Sequence, residues 1–557
     1  MIIIFASCGK KAPNEAKYIP KDATIVIAID SKSLGDKMSK GNIPLDTFIS
    51  RLQKNADTIS AKNKQYWEDF KNSGVSLDNN LYFFMLQKGS IQKGQSNIIN
   101  VMATLKDQAK FEAYLKKQDG TKDSAIVKGN NYSYISSENN SMIAWNKDVV
   151  IATNFTSTAK PTFDSTGAYQ MPEATDGKAA MLKEVERFFN QKESESVASL
   201  EVYNNMFKEK ADGYLFGTSS AALAMLSTTP LNLPKLQELL KDNYSASTFN
   251  FEDGKIVAKG TSYTNPFLSS ILKKYAGPTV NISALEKFPS QNINGAMLAS
   301  FNPELFSGLL KELEVSGLVD VFLNKQGLTS ADIFKALKGE INVVVSDFAM
   351  GMQERNVPMP DGTTYKSTTE TPTAKMVFTA SIGDKAAFAK LMDKAVETGA
   401  VVKTNGGYAA GEILKSLNLF LKVDDKNFIL ASDSATYVAY MSGTGKSNIA
   451  SDVVSKMKGK SVAAFIDINS ILKSVMSTTK DGTVNKSLVF VNNTFKDFVS
   501  TVDNFDGKGV KSDFEVRMVD TKQNSLVSVL NMIVGLVDGF KEGSVLPSNI
   551  DEKETMK

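Results

Sequence analysis

Two serines stand three residues ahead of a lysine in the same tetrapeptide. Ser-Ile-Leu-Lys occurs at 270–273 and again at 470–473. On a helix this spacing puts hydroxyl and amine on one face, the arrangement that activates serine in the penicillin-recognising enzymes. Those enzymes also need S-D-N and K-T-G motifs, and the chain has neither. Ser270, Lys273, Ser470 and Lys473 therefore read as surface positions of amphipathic helices. The segment from Ser442 to Ser447, SGTGKS, ends like a phosphate-binding loop. That loop requires glycine five residues before Gly445, where Tyr440 stands, so no nucleotide is expected. Acidic clusters at Asp424-Asp425 and at Asp503 with Asp506 raise the question of a cation. A calcium loop started at Asp503 needs glycine at its sixth position, which is Lys508. Both clusters read as hairpin turns. There is no histidine, and the single cysteine is Cys8. Imidazole acid–base chemistry, Ser-His-Asp triads and thiolate or soft-metal sites are thereby excluded. The sequence assigns no catalytic residue, no cofactor and no metal. Carboxylate or Ser–Lys chemistry is the one enzymatic route left, and the reading favours a protein that is not an enzyme.

Charge points away from nucleic acid. The chain carries 64 basic and 61 acidic residues, a net charge of +3, too balanced for an electrostatic footprint on phosphates. Only Arg51, Arg187, Arg355 and Arg517 supply guanidinium groups, the groups suited to gripping phosphate or carboxylate in bidentate fashion.

Cys8 has a second reading. Ile2 to Phe5 are apolar, and the run ends in Ala6-Ser7, the small residues a signal peptidase recognises. Phe5-Ala6-Ser7-Cys8 resembles a bacterial lipobox, which implies lipidation at Cys8 and a membrane attachment through that anchor. Residues 1–8 are then the remnant of a lipoprotein signal peptide and 9–17 a polar tether. The near-absence of thiols fits export to an oxidising compartment. Gly9 follows the cysteine where inner-membrane retention would ask for Asp, and Lys10-Lys11 stand where surface lipoproteins often carry an acidic run. The resemblance implies an outer-membrane lipoprotein, with the periplasmic face favoured over the surface. No run reaches the ~18 apolar residues of a spanning helix. The nearest, LVSVLNMIVGLVDGF at 526–540, is broken by Ser528, Asn531 and Asp538 and reads as a buried helix.

The elements that would position any site are written twice. NVMATLKDQAKFEAYLKK, from Asn100, and AKMVFTASIGDKAAFAKLMDKA, from Ala374, each give an apolar strand, an Asp and an amphipathic helix. Apolar residues fall four, seven and eight places after Asp107 and after Asp384, one helical face behind an N-cap. Asn146-Lys147-Asp148 and Asp425-Lys426-Asn427 read as equivalent hairpin turns. FEDGK at 251–255 and FDGK at 505–508 read as equivalent Asp-Gly turns. A strand, cap and helix unit also recurs in TIVIAIDSKSL, VASLEVYNNMF, GAMLASFNPELF and SVAAFIDINSIL, with Asp30, Asn302 and Asn469 as expected caps and Pro303 at the first helical position. The fold class expected is α+β: two tandem duplicated domains, at 18–278 and 279–541, with mixed or antiparallel sheets and helices packed on them, then a polar tail at 542–557. Polar insertions at 155–178 and 355–373 interrupt the pattern. The second holds Pro360-Asp361-Gly362, a turn inside a long hairpin.

The opening Tyr18-Ile19-Pro20-Lys21-Asp22-Ala23, the strand TIVIAID behind a lipoprotein cysteine and the Arg-poor, His-free composition resemble the Bacteroidota envelope lipoproteins of the domain of unknown function 4836 group. The resemblance covers the mature chain and implies no activity and no functional residue. The function expected is that of a lipid-anchored envelope protein that binds an envelope protein or polymer without chemistry. Its rivals are a hydrolase of envelope polymers and a carrier of hydrophobic ligands, which would need a large apolar pocket.

Overall fold

The structure, a computed structural model, describes residues 11–54, 61–90, 94–118, 125–137, 140–158, 162–163, 169–170, 176–219, 234–359, 363–443, 449–477 and 482–543. The chain divides into two compact units. One comprises 1–46, 56–251 and 258–270, the other 47–55, 252–257 and 271–557. Each is α+β, with helices on an antiparallel sheet.

In the first unit the sheet is built from β1 (Ile25–Asp30), β2 (Asn80–Ser90), β3 (Gly94–Thr104), β4 (Val127–Lys128), β5 (Ser133–Ser137), β6 (Ser141–Trp145), β7 (Val149–Thr158), β8 (Gly213–Thr218) and β9 (Tyr244–Glu252). Their order across the sheet is β9-β8-β1-β2-β3-β7-β6-β5-β4, antiparallel throughout. Alternation decides which face is buried. Val26 and Ala28 of β1, Tyr82, Phe84 and Leu86 of β2, and Val149, Ile151 and Phe155 of β7 all enter one core, the period-two pattern of a sheet covered on one face. Helix Gly177–Asn190 supplies Met181, Val185, Phe188 and Phe189 to that core, and Phe84 meets Phe188 edge to face at 5.2 Å. A second cluster gathers around the fully buried Trp145, with Phe111 and Leu115 of helix Gln108–Lys117.

In the second unit the strands are β10 (Ile293–Ser300), β11 (Leu337–Pro358), β12 (Thr364–Ile382), β13 (Phe420–Val423), β14 (Asn427–Ala431), β15 (Val462–Ile466), β16 (Phe495–Val502) and β17 (Gly509–Met518). They lie in the order β17-β16-β15-β10-β11-β12-β14-β13, again antiparallel. The core takes Leu298 from β10, Val344 from β11, Val377 from β12, Ile429 from β14 and Phe465 from β15.

The expected helix caps are largely present. Asp107 Oδ1 accepts from the Lys110 N–H at 3.0 Å, and Asp384 Oδ1 from Ala387 at 2.8 Å. Asp30 caps helix Ser31–Lys40 through Ser33. Two caps sit elsewhere than expected. Asp467, not Asn469, caps helix Ile468–Met476, and Asn469 instead donates to the Asn492 carbonyl. Asn302 accepts from the Glu304 N–H, one place outside the helix start, while Pro303 takes the cap position without a side-chain bond. VASLEVYNNMF is not a strand: it forms a 3₁₀ turn, Val197–Ser199, and helix Glu201–Met206. Short apolar runs are ambiguous between strand and helix, and Tyr203 and Met206 are buried from a helical spacing.

The turns follow the same logic. Asn146 Oδ1 accepts from the N–H groups of Asp148 and Val149, and Asp424 Oδ1 from those of Lys426 and Asn427. The equivalent of Asn146 is therefore Asp424, one residue earlier than the sequence pairing. Gly254 and Gly507 sit at φ +70° and +93°, as Asp-Gly turns require. Helix Ser525–Gly543 buries Leu526, Val527 and Leu530, and no described helix is long and apolar enough to cross a membrane.

Loss of one N-cap costs about 1 kcal/mol. Asp107→Ala and Asp384→Ala are each expected to lower stability by about that amount, read as a shifted urea midpoint. Unchanged midpoints in both variants would remove the capping account of these helices.

Candidate functional site

A polar concavity of the first unit lies where the segment after Lys11 meets helix Gly177–Asn190. The chain is held there by its own backbone. The Ala12 N–H donates to Asn204 Oδ1, and 3₁₀ helix Asn14–Tyr18 buries Ala16 completely. The Val197 N–H then donates to the Ile19 carbonyl and the Lys21 N–H to the Glu195 carbonyl, both at 2.9 Å. Ala12 and Ala16, inside the segment 9–17 expected to be a tether, are thus packed into the first unit.

The helix has two faces at helical spacing. Met181, Val185 and Phe188 point into the core. Lys183, Glu186 and Asn190 are exposed and Arg187 is half-buried. Glu184 breaks the pattern, a carboxylate buried at 3 % side-chain exposure. A buried charge needs partners, and two are supplied. Lys88, on β2, makes a short ion pair with its Oε1. Arg187, one turn along, places Nη2 2.7 Å from its Oε2. This second contact is an ion pair without good hydrogen-bond direction, since Glu184 Oε2 and Arg187 Nη2 lack a well-directed partner. Arg187 Nη1 reaches on to Asp22 Oδ2 at 3.1 Å. One buried carboxylate therefore orients the guanidinium that holds the Lys21-Asp22 segment in place.

Around that pair opens a cleft of about 700 Å³, lined further by Lys183, Glu186, Asn190, Gln191 and Glu195. Its lining is charged groups of both signs and amides, with no aromatic ring and no hydroxyl. A smaller recess of about 240 Å³ shares Lys21 and Asp22 and adds Leu200, Thr218, Ser219, Asp242, Asn243 and Tyr244. A third, about 460 Å³, is lined by Lys11, Asp30, Asn80, Lys210 and Tyr214 among others. These walls present hydrogen-bonding groups and charges of both signs.

Tyr18 ties this region to the neighbouring hairpin. Its hydroxyl donates to Asp148 Oδ2 at 2.8 Å and accepts from Asn146 Nδ2 at 3.0 Å. Burial first, and then the Asp148 carboxylate, push its pKa up to about 12.

The residues singled out by sequence scatter. Ser470 Oγ accepts from Asn294 Nδ2 at 2.6 Å within a helix start, and Ser270 Oγ donates to the Phe267 carbonyl. Ser442 closes helix Ser434–Ser442, and Gly443 is its left-handed cap at φ +68°; residues 444–447 and Cys8 lie outside the described residues. Asp424 and Asp506 serve turns. The Asp506 carboxyl, bonded by Lys511 and by the N–H groups of Lys508 and Gly509, is held down at about 2. Among the described residues no group of three acidic or cysteine side chains could hold a metal. The Glu184–Arg187 pair went unremarked in the sequence, although its signal was there: a rare arginine three residues after a glutamate inside an amphipathic pattern.

A folded-state pKa above the ordinary tyrosine value of about 10 means the fold prefers the protonated phenol. Its stabilisation is complete below about pH 10 and is lost as pH rises toward about 12. Urea midpoints of the native protein are expected to fall across this window more steeply than those of Tyr18→Phe. Parallel pH profiles would show that Tyr18 does not couple to folding.

A family profile described as Domain of unknown function (DUF4836) matches residues 16–526. Of solved structures, one titled "Structure of crystal form I of TP0453" matches at 10% identity with a TM-score of 0.20, covering 49% of this chain and 88% of that one. No curated protein matches.

Proposed function

The chain belongs to the domain of unknown function family DUF4836, and from that premise we propose that it is a lipid-anchored, non-enzymatic envelope protein that binds a polar polymer. The cleft beside Arg187 carries this reading. A 700 Å³ groove walled by amides and by charges of both signs suits a polyhydroxylated chain bearing both amines and carboxylates. A hydrophobic-ligand carrier would want an apolar lining, and a hydrolase would want a carboxylate kept free for proton transfer. Of the lining carboxylates Asp22 is committed to Arg187 and Glu195 accepts from the Lys192 N–H, which leaves Glu186 without a second uncommitted carboxylate to share acid–base work.

The anchor is proposed at Cys8, and the position favoured is the periplasmic face of the outer membrane. The packed chain begins only a few residues beyond that cysteine, which would hold the clefts near the membrane surface. We further read the two units as copies of one ancestral domain. In support, seven strands of each, numbered by their order along their own unit, lie in the sequence 7-6-1-2-3-5-4, leaving aside β4 and β5 in the first and β17 in the second.

Co-sedimentation of the protein with purified insoluble envelope glycan tests the binding. Lys183→Glu with Asn190→Ala, both exposed, is expected to weaken retention about ten-fold, the loss of one or two polar contacts. Equal retention of both proteins would dismiss the cleft. Membrane fractionation of Cys8→Ala tests the anchor separately, and a variant that stays in the membrane fraction would dismiss lipidation.

A further inference from the structure

β11 and β12 run on beyond the sheet that holds their bases. β11 pairs with β10 only from Glu340 to Ser346, and β12 pairs with β14 only from Val377 to Ser381. From Ala349↔Thr373 to Pro358↔Thr364 the two strands pair with each other alone, ten residues a side. At roughly 3.3 Å per residue this ribbon extends about 33 Å. Among the described residues no third strand covers either edge. A two-stranded hairpin is marginal in water, and an unpaired edge is a template for another strand.

The β12 edge has a self-complementary pattern. Lys366 and Glu370 lie on the same face, four residues apart and symmetric about Thr368. Lys366 is exposed and reaches Glu354 across the ribbon at 3.4 Å. Glu370 is exposed, with no ion pair among the described residues. Tyr365 is 63% exposed, and the Thr371 hydroxyl is buried without a hydrogen-bond partner.

We propose that the outer edge of β12 pairs antiparallel with the same edge of a second copy of this chain, about a two-fold axis at Thr368. The two ribbons then form one four-stranded sheet. In this register Lys366 of each copy faces Glu370 of the other, so the charge pair is made twice. Tyr365 faces Thr371, and Ser367 faces Thr369, combinations that stabilise antiparallel neighbours. Sliding the strands by two residues per copy sets Lys366 against Lys366 or Glu370 against Glu370, like charges directly opposed. Sliding by one residue per copy opposes Lys366 or Glu370 to Thr368 and makes no charge pair, so charge favours the register centred on Thr368, as an isologous interface requires. The inference stands apart from the cleft and from the lipid anchor.

Sedimentation equilibrium of the full chain carrying Cys8→Ser, which removes the anchor and the sole thiol, tests it. A concentration-dependent dimer is expected. Glu370→Lys is expected to weaken it roughly ten-fold, because two like-charge contacts replace two favourable ones. Lys366→Glu with Glu370→Lys is expected to restore it. In the same background Thr368→Cys is expected to give a disulfide-linked dimer on oxidation and Tyr365→Cys is not. A monomer at all concentrations overturns the proposal. So does a dimer indifferent to Glu370→Lys, or a double variant that fails to restore pairing.

Discussion

Each unit depends on a strand that cannot be completed locally. β1 is paired on one side with β2 and on the other with β8, so that Ile25 lies against Gly217. β10 lies between β11 and β15, with Ala299 against Val462. The first strand of each sheet is thus an interior strand whose second neighbour arrives late in the chain. Until it does, one edge of the strand has unpaired amides and carbonyls, and Val26, Ala28 and Leu298 lack part of their cover. The described core contains no cysteine, so no covalent link shortens these closures. Burial of apolar side chains must offset the loop entropy by itself. The aromatic groups around Phe84, Phe188, Tyr203 and Phe216 supply much of that burial in the first unit.

Polar groups inside this frame are placed to set geometry. Glu184 is buried with Lys88 and Arg187, and Asp497 with Arg517, whose guanidinium grips it through Nε and Nη2 at 2.5 and 2.6 Å. Asp212 gathers the Ser33 hydroxyl, the Lys37 amine and the Phe251 N–H around one carboxylate. Replacement of such groups by well-packed apolar ones is often neutral for stability, whereas removal of one partner is costly. Their contribution here is direction. Of the four arginines, Arg187 and Arg517 each fix a carboxylate within their own unit, and neither serves as a free anion site. These two of the four arginines thus act as structural clamps.

Much of the local structure was legible before any tertiary contact was known. Asp30, Asp107 and Asp384 stand where caps were expected, because a short acidic side chain between an apolar strand and an amphipathic helix has few other uses. The Asp-Gly turns at Gly254 and Gly507 and a long hairpin across the insertion at 355–373 were legible for the same reason: their signals are short-range, whereas the run of its strands back to 337 and on to 382 was not. The departures are also local in origin. Asp467 stands two residues before Asn469, and its carboxylate starts the helix there through the Ser470 N–H, which leaves Asn469 inside the first turn. Val197 to Phe207 has the apolar content of a strand, but its neighbours in space bury it as a turn and helix.

The candidate site lay beyond such reading. The cleft brings Lys21 and Asp22 against Lys183 and Arg187, roughly 160 residues apart in the chain. Nothing in the spacing of either segment names the other. The sequence by itself determined the alternation of strands, the caps, the turns and the exclusion of imidazole and thiol chemistry, since these follow from side-chain type and near neighbours. Only the tertiary structure decided which strands adjoin, that Glu184 is buried, and which polar faces enclose a groove. Those depend on which distant surfaces exclude water together, and that is a property of the whole packed chain.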